Sequence, residues 1–275
     1  MRYAQLEILL PKMRFDKVIS TYGYPLISKE VAEAIYFARK ITDKKDMKNI
    51  RRLCLQGLYM NNNEKSVFNK EKYLPAAQDF PFLISGKCCN VMKKTPAKLY
   101  STQHNSHEIV ATLAEESRWR KNAWLKTGCN SFNNSHPISK PMSFWTEQNV
   151  LEFIKGSNIK ICDVYGDITE NKCGKLECSG CKRTGCVYCG FGAHLKGDTR
   201  FLELQKLSPK QYEYAMGGGQ WVDNPNYDAT APKYDGDWLN YNPKKIWTPS
   251  KEGLGLRFVL DTFNEYYPKN KIIYE

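Results

Sequence analysis

Thr146-Glu147-Gln148-Asn149-Val150-Leu151-Glu152-Phe153-Ile154, followed by Ile159-Lys160-Ile161-Cys162-Asp163-Val164, carries the pattern on which the fold class rests. Thr146 is a good N-cap, Glu147 suits the positive end of a helix dipole, and Trp145 can staple against Val150. Val150, Leu151 and Ile154 give this helix an apolar face, and Ile159 to Val164 then reads as a short strand. Upstream, Ile109-Val110-Ala111-Thr112-Leu113 reads as a buried strand by its β-branched content. Glu115-Glu116-Ser117-Arg118-Trp119-Arg120 follows it, a cluster of charged and hydroxyl groups at the strand end where open α/β sheets bind ligands. Strands alternating with helices predict an α/β architecture with a mainly parallel sheet.

Working outward, Ser28 can cap a helix whose Val31, Ile35 and Ala38 share one face, with Ala34 beside them. From Arg39 to Arg52 the chain holds seven Lys or Arg and two Asp. Such a run is commonly a solvated helix face, and the competing reading is a strip that meets a phosphate backbone. Residues 60–80 are polar and lack a period, which predicts a loop. From Tyr165 the composition shifts: residues 173–194 are dense in Cys and Gly, and residues 217–255 in Gly, Pro, Asn, Trp and Tyr. The expected organisation is therefore an α/β core over 1–165, then a Cys-rich, loop-heavy region over 166–275 that wraps the sheet.

The 275 residues are 41% hydrophobic and 25% charged, a globular composition, and the net charge of +12 favours anionic partners. No apolar stretch approaches the roughly 18–20 residues needed to cross a bilayer. The N-terminal run Ile8 to Leu10 ends at Pro11-Lys12, too short for a signal core. A cytoplasmic location is the expectation. In that reducing compartment ten cysteines point to metal binding or redox chemistry rather than to disulfides.

Two cysteine groups stand out. Cys88-Cys89 is a doublet, and Cys178-Ser-Gly-Cys181 and Cys186-Val-Tyr-Cys189 are two C-x-x-C pairs, a turn that offers two thiolates to one metal centre. Cys178, Cys181, Cys186 and Cys189 have the ligand count of a zinc site, although the spacer is shorter than in common ribbons. Alternatively Cys88 and Cys89 join Cys186 and Cys189 around a [4Fe–4S] cube. Adjacent cysteines crowd one tetrahedral ion but can reach different irons of a cube, and so the doublet favours the cluster. Cys54, Cys129 and Cys162 read as buried small residues. His194 reads as a local structural contact or as a partner to sulfur, while His104, His107 and His136 give no pairing signal.

Four motifs occur in order: Gly86-Lys87-Cys88-Cys89-x-x-Met92-Lys93-Lys94-x-Pro96, Glu116-Ser117-Arg118-x-Arg120, Pro141-x-Ser143-x-Trp145-Thr146-Glu147, and Arg183-Thr184-Gly185-Cys186-x-x-Cys189. Together they resemble the phosphoadenosine phosphosulfate reductase-like family, from about Pro11 to about Asp261, and most nearly its bacterial and phage members. DNA-phosphorothioation sulfurtransferases are related to that group. The resemblance implies a Rossmann-like adenine-nucleotide α-hydrolase fold, here a partial parallel sheet flanked by helices, acting on an adenine nucleotide or sulfonucleotide. It implies Cys88, Cys89, Cys186 and Cys189 as [4Fe–4S] ligands. Lys93, Lys94, Glu116, Ser117, Arg118 and Arg120 would form the substrate site, the cations meeting sulfate or phosphate.

Two departures from the family pattern bear on function. The S-G-G-x-D-S loop that holds phosphate or sulfate oxygens is missing, and Gly217-Gly218-Gly219, the one glycine run, lies elsewhere with other neighbours. The expectation is a truncated or split form whose missing loop comes from another polypeptide. No Cys follows Cys189, so the reductase's C-terminal nucleophile has no counterpart. The leading expectation is a sulfonucleotide enzyme, weak on its own. The alternatives are a DNA-associated component of a sulfur-modification or phage-defence system, and an inactive metal-stabilised scaffold.

Overall fold

The computed structural model describes residues 6–39, 55, 64, 70–132, 137–181, 184–230 and 241–275. The chain forms two compact units, one built from Met1–Pro96 with Cys186–Glu275 and the other from Ala97–Gly185. Packing therefore divides the chain at 96 and 186, whereas the composition shift lies near 165. None of the described helices is long and apolar enough to cross a membrane.

In the first unit, helix Phe15–Tyr22 buries Val18 and Ile19 and stops at Gly23. Gly23 has φ +112°, and a Cβ there would lie 2.4 Å from the Leu83 carbonyl carbon. Only glycine lets the chain turn so close to that backbone. The next residues line up beside others from far along the sequence. Tyr24 bridges Ile84 in parallel, and strand Leu26–Ile27 pairs in parallel with Gly190–Phe191. Phe82 bridges Trp247 in parallel, and strand Lys245–Thr248 runs antiparallel to Gln220–Asp223. The expected α/β character and parallel pairing are present, in strands of two to four residues.

Helix Lys29–Arg39 follows the first strand directly, with the Val31 N–H donating to Ser28 Oγ at 3.2 Å. Its buried positions include Val31, Ala34, Ile35 and Ala38, the face expected from their spacing. Arg39 departs from the reading of a solvated basic face. Its guanidinium is buried and donates to the carbonyls of Ala76, Ala77, Phe80 and Phe82 at 2.6–3.1 Å. The Tyr241 ring covers it at 3.7 Å. Residues 40–52 of the basic run lie outside the described residues, as does most of 60–69; 71–78 form two short helical turns rather than a loop.

The C-terminal segment differs most from expectation. It builds the core instead of wrapping it: helices Arg200–Leu207, Pro209–Met216 and Leu256–Tyr266 bury Phe201, Ala215, Met216, Val259, Leu260 and Phe263. The glycines that suggested loops serve close packing. A Cβ on Gly219 would lie 2.2 Å from the Trp247 ring, and one on Gly218 would lie 2.3 Å from the Gly253 nitrogen.

The second unit is thinly packed; its buried residues among those described are Ala114, Ser131, Ser143 and Leu151. Strand Ile138–Ser139 lies between Glu108–Ile109 and Asn130–Ser131, and Ile168–Glu170 pairs antiparallel with Leu176–Cys178. Helix Glu147–Gly156 begins as expected, with Thr146 Oγ accepting the Asn149 N–H and Asn149 Oδ1 accepting the Thr146 N–H. Trp145 meets Phe153 edge-on at 5.8 Å.

The two strands read at 109–113 and 159–164 do not form. Pairing ends at Ile109, which is 75% exposed, and Ile159 is 47% exposed ahead of a 3-10 turn at Asp163–Tyr165. β-branched residues favour extended backbone, but burial also needs a facing layer, which this thin unit does not supply.

Candidate thiol site

The doublet sits where the chain leaves residues 82–84 and turns into a helix. Asn90 and Val91 N–H groups return to the Lys87 carbonyl at 2.9 and 3.0 Å. A π-helical turn, Asn90–Lys94, then leads into helix Thr95–Gln103. A π turn shifts side chains off the ordinary helical register and is frequent at functional sites. Gly86 lies beside the start of helix Lys29–Arg39, where a Cβ would make ordinary contact with the Lys29 carbonyl oxygen at 3.4 Å. The Lys87 ammonium lies over the Phe37 and Tyr36 rings at 4.9 and 5.3 Å.

The second pair arrives on a turn closed by the Cys189 N–H donating to the Cys186 carbonyl at 3.0 Å. Gly190 follows, packed so closely on strand Leu26–Ile27 that a Cβ would fall 2.7 Å from the Pro25 carbonyl oxygen. Arg200 anchors this backbone by donating to the Cys189 and Phe191 carbonyls, each at 2.9 Å. Asp198 holds Arg200 in place through Nε at 2.8 Å and Nη2 at 2.5 Å. The parallel pairing of 24–27 with 84 and with 190–191 thus carries both cysteine segments to one place.

The thiols act on one another there. Cys88, buried, shares a hydrogen bond with Cys89. That bond and burial push the Cys88 thiol up, and the charges of Cys89 and Cys189 add to the effect. The same bond pulls the Cys89 thiol down to about 5, assisted by the ammonium groups of Lys29 and Lys93 against the opposing effect of burial. Burial raises Cys189, with the nearby charges of Cys186 and Cys89 adding to it. Lys93 is hydrogen-bonded to Cys186 and held above its ordinary range by that bond, with Cys89 and Cys189 also facing it. Two cations therefore oppose the charge that four thiolates would gather.

Cys88, Cys89, Cys186, Cys189 and Lys93 are thus brought together, with Lys94 exposed on the adjoining turn. Among the described residues no group of three or more His, Cys, Asp or Glu is drawn in tightly enough to hold a metal ion. The donor set nevertheless fits a thiolate-ligated centre in kind: four sulfurs from two rigidly anchored turns, flanked by lysines.

Cys178 and Cys181 of the alternative zinc set belong to the second unit, Cys178 at the end of its strand and Cys181 donating its N–H to the Val164 carbonyl at 2.9 Å. Glu116, Ser117, Arg118 and Arg120 also lie there. Ser117 Oγ caps helix Arg118–Thr127, and Glu116 pairs with Arg120 while accepting the Leu113 N–H at 3.0 Å. Arg118 alone of these four is a charge without an ion-pair partner among the described residues.

His194 is buried with Nε2 3.1 Å from the Tyr73 hydroxyl, a structural contact. Cys162 is exposed and Cys129 half-buried, contrary to the buried reading. Cys54, His136 and Arg183 lie outside the described residues. Sequence reasoning missed Lys29, which stands one residue past the helix cap. It also missed Ile27, a fully buried β-branched residue at φ +69°. Such backbone is costly and persists where the surroundings over-determine it, here at the junction that presents Lys29.

No protein-family model matches the chain, and neither the curated proteins nor the solved structures yield a match.

Proposed function

We propose that this chain is a phosphoadenosine phosphosulfate reductase-like protein, with a [4Fe–4S] cluster held by Cys88, Cys89, Cys186 and Cys189 beside a site for an adenylated or sulfated nucleotide. One observation carries the reading: two thiol-bearing turns, far apart in sequence, meet within the first unit with Lys29 and Lys93 facing them. A bound cluster would supply electrostatic and structural support next to the anionic end of the substrate. Lys93 and Lys94 are the residues that would meet sulfate or phosphate oxygens, as point charges. The short parallel pairings with helix Lys29–Arg39 packed beside them support a Rossmann-like nucleotide-hydrolase core. No S-G-G-x-D-S sequence and no cysteine after Cys189 occur here, so the proposed sulfonucleotide reduction by this chain alone is weak.

Anaerobic purification followed by iron, sulfide and zinc analysis tests the proposal. The expected result is about four irons and four sulfides per chain, lost on Cys→Ser replacement at 88, 89, 186 or 189 and retained in Cys178→Ser. One zinc per chain that disappears with Cys178→Ser, or no metal at all, would overturn it.

A further inference from the structure

The second unit carries a groove that the thiol site does not use. One shallow depression of about 340 Å³ is bordered by Ser117, Arg118, Lys121, Trp124, Phe144 and Trp145, among others. Another of about 450 Å³ is bordered by Phe144, Trp145, Asn149, Glu152 and Phe153. The two share Phe144 and Trp145 and so adjoin at this aromatic pair. Phe144 is 62% exposed and Phe153 53% exposed, more open aromatic surface than a thin core requires.

Helix Arg118–Thr127 forms one wall and buries none of its residues. Helical spacing puts Arg118, Lys121 and Leu125 along the side that borders the depression, and Trp119 and Lys126 on another face. Arg118 and Lys121 have no ion-pair partner among the described residues. Glu116 is paired with Arg120, and Glu115, which also lines the first depression, accepts the Glu147 N–H. Glu152 lines the second depression, away from Arg118 and Lys121.

We infer that this groove binds single-stranded nucleic acid, with phosphates along Arg118 and Lys121 and bases stacked on Phe144 and its aromatic neighbours. Cations in a row beside open ring faces are what an unpaired strand requires. A duplex keeps its base faces stacked inside and would use the cations alone. The inference is independent of any metal at the thiols.

The test is fluorescence anisotropy of the full chain with a labelled oligothymidylate of about 15 nucleotides and a hairpin duplex of equal length, across a salt series. The expected result is preference for the single strand, with log affinity falling against log salt at a slope near −1.4, about −0.7 for each of two phosphates. Phe144→Ala should weaken single-strand binding about tenfold and leave duplex binding unchanged, and Lys121→Ala should reduce the slope by about 0.7. Circular dichroism checks that both variants remain folded, and Phe153→Ala, at the lining of the second depression, serves as a further stacking variant. No binding at low salt would overturn the inference. So would equal affinity for duplex with no effect of Phe144→Ala or Phe153→Ala, or displacement of the strand by equimolar adenosine monophosphate.

Discussion

Arg39 shows how one side chain can be misread from its neighbours. It opens a run of cations, yet its fork is buried and bonds the carbonyls of Ala76, Ala77, Phe80 and Phe82. Arg39→Met should cost at least about 3 kcal/mol, because several buried carbonyls lose their donor together, and urea denaturation will measure it. Arg39→Lys should restore little, since an ammonium lacks the planar fork. His194 makes a second prediction. Burial and the Lys72 ammonium hold its imidazole below the ordinary value of 6.5. The unfolded chain therefore takes up that proton first, and stability should fall as pH drops below about 6.5 through the folded-state value. His194→Gln should flatten that part of the stability–pH curve; an unchanged slope would show that the imidazole titrates alike in both states.

At the scale of elements, the two helices with a capping signal were legible, while the C-terminal helices and the strands were not. Ser28 and Thr146 announce their helices by chemistry that acts within three residues, and both caps form as read. The apolar runs at 109–113 and 159–164 needed a facing layer that no local pattern encodes; pairing stops at the start of the first, and neither run is buried. Glycines illustrate the same divide. Gly217 to Gly219 read as a loop, but Gly219 is where the chain passes against Trp247. Thr146→Ala should cost about 1 kcal/mol in thermal or urea unfolding. Gly219→Ala should cost upwards of about 2 kcal/mol, because φ +85° and the indole 2.2 Å from the new Cβ both oppose it.

For the whole molecule, the site depends on closing about a hundred residues of chain between Cys89 and Cys186. A metal centre shared by those segments would be bound by the folded chain and not by the unfolded one, so its binding energy would add to stability. Anaerobic loading with iron and sulfide should raise the unfolding temperature by several degrees, and chelation should reverse the gain. Cys89→Ser should abolish that difference. An unfolding temperature indifferent to loading would separate the doublet from the second pair.

The sequence by itself determined the helix starts at Ser28 and Thr146, the cationic balance and the chemical kind of the thiol groups, because each is written in residue type or in spacings of a few positions. The tertiary structure alone decided that residues 186–275 belong with the N-terminal segment and that Lys29 faces Cys89. It also decided that Arg39 is structural and that Cys178 and Cys181 belong to a different unit from Cys186 and Cys189. These outcomes follow from pairing between distant short strands, whose partners are chosen by packing across the core and leave no periodic trace along the chain.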